Sequence, residues 1–104
     1  MQKICLIHTS VSSCSEAKAL AAALIEEKLC ACVQMTGPGV SIYRWNDRVE
    51  QTEEYYLCIK TSRVNRDKVL DWLQRNHPYE LPEITWELHD SSEQYAAWVD
   101  AQVE

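Results

Sequence analysis

Phenylalanine is absent from this 104-residue chain, and glycine occurs only twice, at Gly37 and Gly39 on either side of Pro38. So little glycine, beside 46% hydrophobic residues, excludes a disordered or low-complexity chain. Runs of basic residues are also missing, and the net charge is -6. An acidic chain repels phosphate backbones and anionic lipid, so neither nucleic acid nor a membrane surface is an expected partner. Long apolar runs are missing too. The first nine residues, M-Q-K-I-C-L-I-H-T, are too short for a signal h-region or a membrane span, and no small-residue cleavage site follows. The five cysteines are odd in number and lack a disulfide-framework spacing, which suits reduced thiols and a cytoplasmic location. No G-x-S-x-G, Walker loop or G-x-G-x-x-G occurs, so the common hydrolase and nucleotide-binding signatures are excluded.

What is present is four Trp and five Tyr, large apolar bodies with polar tips of the kind enriched at interfaces. Many of them fall in one stretch, Val40 to Thr61, which reads as a long β-hairpin. Ser41, Tyr43 and Trp45 alternate with Val40, Ile42 and Arg44 on the outgoing arm. On the returning arm Val49, Tyr55, Leu57 and Ile59 alternate with Tyr56, Cys58 and Lys60. Asn46-Asp47 occupies the two-residue turn, where positive φ is needed and Asn and Asp tolerate it.

The remaining elements follow from period and punctuation. Lys3 to Thr9 is a strand apolar on both faces, followed by a loop over 9–13. Ser13 and Glu16 form a capping box that opens a helix carrying Ala17, Leu20, Leu24, Ile25 and Leu29, ending near Cys30. Ala31 to Met35 is a strand, and Gly37-Pro38-Gly39 marks a kink or bulge on a sheet edge. Ser62 or Asn65 caps a second helix with Val69, Leu70 and Leu73 as its stripe and Trp72 at the margin, stopped by Pro78. Ile84, Trp86 and Leu88 belong to a last strand. Ser91 with Gln94 opens a terminal helix bearing Tyr95, Trp98 and Val99.

The order β-α-β-β-α-β-α predicts one α+β domain over 1–104. It is ferredoxin-like, with an antiparallel sheet, an extended central hairpin and a C-terminal helix. Right-handed crossovers put both inner helices on one face. Cys5, Ile7, Val33, Leu57 and Ile59 are then assigned to the other, largely bare face. The hairpin arm with the strand before it runs about fifteen residues, or about 50 Å at roughly 3.3 Å per residue. A compact domain of this length has a radius of gyration near 13 Å, so the tip must overhang its own globule. An overhanging arm carrying Tyr43, Trp45, Tyr55 and Tyr56 needs another chain to cover it, which predicts a cyclic homo-oligomer.

The segments Y-R-W at 43–45, Glu50, E-Y-Y-L-C-I-K-T at 54–61 and H-P-Y-E-L-P-E-I at 77–84 resemble the CutA divalent-cation-tolerance family. E-K-L-C-A-C-V at 27–33 and Y-A-A-W at 95–98 extend the resemblance over nearly the whole chain. It departs at Asn46-Asp47, where family members commonly carry Gly, and at Gly37-Pro38-Gly39. The resemblance implies a ferredoxin-like fold related to the signalling protein PII and a tight homotrimer joined by the hairpins. It also implies a role in tolerance to divalent metals, copper especially, without an established enzymatic activity. Copper coordination in some members involves positions that correspond here to Thr9, Asn76 and His77, of which only His77 is a matching residue. His77 is therefore the metal candidate, for copper or another divalent cation, and no organic cofactor is expected.

Each chemical feature has a plainer role beside it. Cys30-x-Cys32 could place two sulfurs on one face of a strand for a soft ion, but free cysteine more often packs. Cys5 and Cys58 sit on strands that would be neighbours, again with packing as the commoner role. Cys14 lies in a helix's first turn, where a thiol's pKa falls. His77 also fits a helix C-terminal cap. Glu50, Glu53, Glu54, Glu80, Glu83 and Glu87 are expected to be solvated or to bridge subunits, rather than to act as acid–base pairs. A second function class is a PII-like module that binds a small anion or metabolite at a subunit cleft and signals to a protein partner. Arg44, Lys60 and Arg63 are its candidate cations.

Overall fold

Alternating apolar residues and two capped helices build the chain, whose computed structural model describes residues 2–104. The elements are β1 (Gln2–Val11), α1 (Cys14–Glu26), β2 (Cys32–Trp45), β3 (Arg48–Thr61), α2 (Arg66–Asn76), β4 (Thr85–Ser91) and α3 (Glu93–Gln102). The four strands form one antiparallel sheet in the order β2-β3-β1-β4, which is the expected ferredoxin-like arrangement.

β1 runs two residues further than its sequence suggests. Ser10 and Val11 pair with Tyr56 and Tyr55, so the loop begins only at Ser12. Ser13 caps α1, its hydroxyl accepting from Glu16 N at 3.1 Å. α1 stops at Glu26 rather than near Cys30. Lys28 takes φ 57°, its N–H reaches Ile25 O, and Leu29 N–H reaches Leu24 O. This is a Schellman stop with lysine where glycine is usual. The cap of α3 is Ser92, accepting from Tyr95 N at 3.2 Å, one residue later than expected.

α1 and α2 cover one face of the sheet. Cys5, Ile7, Leu57 and Ile59 lie beneath them, packed with Leu24, Val69 and Leu73 among others. These sheet residues, with Val33 beside them, therefore belong to the helix-covered face and not to the bare one, because the helices' apolar stripes need them. The opposite face carries Ile4, Leu6, His8 and Ser10 of β1. There α3 seats Ala96 and Val99 on Ile4 at one end, leaving the other end open. Trp98 turns outward and stacks on Tyr95.

The turn at Asn46 (φ 51°) and Asp47 (φ 62°) joins β2 and β3, which pair from Cys32↔Lys60 to Trp45↔Arg48. A register shift between Thr36 and Gly39 marks the expected bulge, and β2 is an edge strand. A Cβ at Gly39 would come within 2.5 Å of the Tyr56 ring, so only glycine leaves the ring its seat. The molecule measures 46 × 26 × 22 Å with a radius of gyration of 14.4 Å. The long axis reflects the protruding hairpin, whose Val40, Ile42 and Val49 are 58%, 68% and 67% exposed.

Candidate functional site

The open face of the hairpin and the segment 78–83 enclose a cleft of about 640 Å³. Three elements build it. Pairing across the bulge directs Ser41, Tyr43 and Trp45 of β2, with Thr52 and Glu54 of β3, to one side of the arm. The end of β1 contributes Ser10, and Ser12 follows it. Pro78 and Pro82 hold the connection between α2 and β4 extended, which brings Tyr79, Glu80, Leu81 and Glu83 opposite.

Glu54 forms the floor. It is only 7% exposed, and Tyr79 Oη donates to its Oε2 at 2.7 Å. Burial alone would push this carboxyl up. Hydrogen bonds from Tyr79, Ser41 and Ser10 outweigh it and hold the group below the usual carboxylate range, hence ionised. Burial and the bond to Glu54 push the Tyr79 phenol well above its ordinary value, so it stays a donor. No lysine or arginine among the described residues pairs with Glu54.

His77 stands behind this pair as the C-cap of α2, its N–H bonded to Leu73 O at 3.0 Å. Its Nδ1 accepts from Tyr79 N at 3.0 Å, and its Nε2 lies 2.9 Å from Ser10 O. A backbone N–H can only donate, so Nδ1 is the bare nitrogen and Nε2 carries the proton. Burial lowers the pKa of this ring, in keeping with a neutral imidazole. His77 holds the C-cap position through its backbone N–H alone; its ring bonds the end of β1 and the 78–83 connection rather than the helix's last carbonyls, so the expected charge-based cap gives way to a neutral bridge.

Neither of the other two positions implied for copper carries a matching ligand. Asn76 Nδ2 donates to Trp72 O at 2.8 Å, inside its own helix. The buried Thr9 hydroxyl has no partner among the described residues. A hydroxyl and an amide are poor substitutes for thiolate and imidazole toward a copper ion. Among the described residues no group of three His, Cys, Asp or Glu side chains is arranged to hold a metal ion. The residues of one chain thus do not fit a resident copper centre.

The cysteines separate in the same way. Cys30 packs in the core beneath the helices, and burial pushes its thiol up to about 12. Cys32 belongs to β2 and sits only half-buried, so the two sulfurs do not share a strand face. Cys5 pairs with Thr61, whereas Cys58 pairs with His8, and the two point to opposite faces. Burial raises both thiols. Cys14 is the first residue of α1. His8 and His89, far apart in sequence, both lie against Glu87 on the open face, His8 Nε2 at 3.7 Å.

Arg44, Lys60 and Arg63 are not gathered. Arg44 is on the side of the arm away from the cleft, and Lys60 lies near the other end of β3, over the Tyr95 ring. None of the three lines the cleft. The expected interface aromatics divide as well. Tyr43 and Trp45 wall the cleft, Tyr56 shares that side with its hydroxyl 3.4 Å from Ser41 Oγ, and Tyr55 packs toward the helices. The burial of Glu54 was not legible from composition. Its parity with Tyr43 and Trp45 across the hairpin is the signal that could have found it.

The sequence model of the CutA1 divalent ion tolerance proteins matches residues 5–102. The divalent-cation tolerance protein CutA of Yersinia pestis (strain Pestoides F) is 31% identical over 90 residues, covering 86% of this chain and 76% of its own. Among solved structures, CutA from Synechococcus elongatus PCC7942 superposes with a TM-score of 0.93 at 35% identity, covering 100% of this chain and 93% of that one. The periplasmic divalent cation tolerance protein CutA from Archaeoglobus fulgidus gives 0.90 at 28% identity, over 97% and 99% of the two chains. No helix among the described residues is long and apolar enough to cross a membrane. The chain belongs to the CutA1 divalent ion tolerance protein family.

Proposed function

We propose that the protein serves divalent-cation tolerance, copper among the ions, as a non-enzymatic cytoplasmic homotrimer. The observation that carries this reading is the hairpin. Its apolar arm stands outside the globule, and the outer edge of β2 has no strand beside it among the described residues. Three copies arranged cyclically cover three arms, with Tyr43, Trp45, Tyr55 and Tyr56 as anchors near the boundary. Copper or another divalent cation enters as cargo. His77 is its contact: coordination through Nδ1 costs only the bond to Tyr79 N and keeps Nε2–H on Ser10 O. An outer-shell bond of that kind commonly orients a metal-bound histidine.

Light scattering tests the assembly, with a mass near 36 kDa expected from three chains of 12.0 kDa. A mass of about 12 kDa at micromolar concentration sinks it. Calorimetry with Cu(II) and Zn(II) tests the cargo, with His77→Ala weakening binding; no heat at micromolar metal removes that part.

The cleft favours a second reading, a PII-like module that binds a small molecule and signals to a protein partner. Its support is a volume within the range typical of ligand pockets, walled by aromatic rings.

A further inference from the structure

The end of β1 and the end of α2 meet at one corner, and the donors there are of one chemical kind. His77 Nε2 donates to Ser10 O at 2.9 Å, which leaves Nδ1 as the lone-pair nitrogen of the ring. Thr9, the neighbour of Ser10, shares the helix-covered face of β1 with Cys5 and Ile7. It is 2% exposed, and its hydroxyl has no partner among the described residues. Asn76 commits its amide to Trp72 O. The charges that reach the ring are the carboxylates of Glu16 and Glu54. The corner thus presents one imidazole nitrogen among oxygens.

Donor softness decides which ions such a corner takes. Cu(I) seeks thiolate or thioether sulfur, whereas Zn(II) and Cu(II) accept imidazole together with oxygen. A strong ligand also gives up its proton, and neither a threonine hydroxyl nor an asparagine amide does so at neutral pH. Other thiols of the chain do not make up the difference. Burial raises Cys5, Cys30 and Cys58, which stay protonated. Cys32 pairs with Lys60, toward the other end of β3 from Tyr56, the partner of Ser10. The slot at Thr9 is nevertheless suited to sulfur. An unpaired buried hydroxyl is costly, while a thiol packs as a small hydrophobe and needs no partner.

We propose that Thr9 sets the metal selectivity of this chain: with a hydroxyl at that position, His77 serves divalent ions as a single-nitrogen contact and does not hold Cu(I). The inference rests on His77 as the cargo contact and goes beyond it by fixing which ions that contact takes. It departs from the copper coordination that the family resemblance implies, because Thr9 and Asn76 supply neither thiolate nor imidazole. Copper enters here only as Cu(II), on the same footing as Zn(II).

The test uses the full chain in its native assembly, with Cu(I) supplied anaerobically as its bicinchoninate complex and Zn(II) titrated by calorimetry. The five native cysteines are common to all variants, so each readout is a difference from the parent. His77→Ala is expected to weaken Zn(II) binding severalfold and to leave Cu(I) uptake unchanged. Thr9→Cys is expected to raise Cu(I) affinity at least tenfold, and adding His77→Ala to it to abolish that gain. Thr9→Val deletes the hydroxyl without supplying sulfur. It is expected to melt a few degrees higher than the parent and to gain no Cu(I) affinity. Parent Cu(I) uptake that falls in His77→Ala overturns the selectivity and leaves the cargo contact standing. A Thr9→Cys variant that melts like the parent but gains nothing toward Cu(I), or a Thr9→Val variant that gains as much, overturns the assignment to Thr9. Absence of Zn(II) binding to the parent overturns the cargo contact and this inference with it.

Discussion

Tyr79 Oη donates to Glu54 Oε2 at 2.7 Å and so ties the proline-bracketed connection to the hairpin across 25 positions of sequence. One bond thereby fixes the width of the cleft and keeps its floor charged. Hydrogen bonds to charged groups contribute about 1.5–3 kcal/mol. Tyr79→Phe is expected to lower stability by that amount in urea denaturation at fixed protein concentration. Coincident curves would show that Ser10 and Ser41 alone satisfy Glu54.

The acid limb of stability has two sources. Burial depresses the His77 pKa below its ordinary value of 6.5, so the unfolded chain binds this proton first as pH falls. Stability from that residue is present above pH 6.5 and is lost as pH drops through the folded value. Glu54, also depressed below its ordinary 4.5, adds a second loss at lower pH with the same sign. The melting temperature is expected to fall from pH 7 to 5, and His77→Gln to flatten that part of the slope. An unaltered slope would assign the transition to other groups.

Ile42 is 68% exposed on the side of the arm away from the cleft. In an isolated chain Ile42→Lys changes stability by no more than about 0.5 kcal/mol. In the proposed trimer it places a charge within a covered surface. Sedimentation is therefore expected to show the variant dissociating at concentrations where the parent is assembled. Trp45→Ala should loosen assembly as well, before it disturbs the fold. Persistence of the parent mass in both variants would move the interface off this arm.

Lys28 holds φ 57° at the stop of α1. A non-glycine residue in that region costs about 1–2 kcal/mol, and the exposed pair Lys28–Glu104 at 3.4 Å returns less than about 1 kcal/mol. Lys28→Gly is expected to stabilise the protein by about 0.5–1 kcal/mol, read as a higher melting temperature. A lower one would show that the lysine's contacts with the C-terminus outweigh its backbone strain.

Much of this molecule is legible from period and punctuation. Ser13–Glu16 opens α1, Asn46-Asp47 turns the hairpin, and Gly37-Pro38-Gly39 breaks its register, as their local chemistry dictates. What local chemistry does not encode is which face each strand presents. Cys5, Ile7, Leu57 and Ile59 are apolar in either orientation, and the choice is made by where α1 and α2 land. The helix stop at Lys28 also escapes, because lysine carries no signal for left-handed backbone. At the site, family resemblance points to His77, but Glu54 reads as one solvated carboxylate among several. Its burial comes from Tyr79, placed by a fold that sequence spacing cannot measure.

The bulge has a consequence beyond bending the arm. Between the Thr36↔Tyr56 and Gly39↔Glu54 pairs, β2 spends three steps where β3 spends two. Side chains alternate with a period of two, so one surplus residue inverts the parity of everything beyond it. Below the bulge even-numbered residues of β2 face the open side; above it odd-numbered ones do. Excising a single residue there would leave the arm's faces as they are, because the turn and β3 fix its register, and would instead exchange those of residues 32–36, sending Cys32 and Gln34 toward the helices and Val33 and Met35 to the open side. The helix-covered base of β2 and its protruding arm are thus read in opposite frames along one strip of sequence, and a single residue lets both fit the same partner strand.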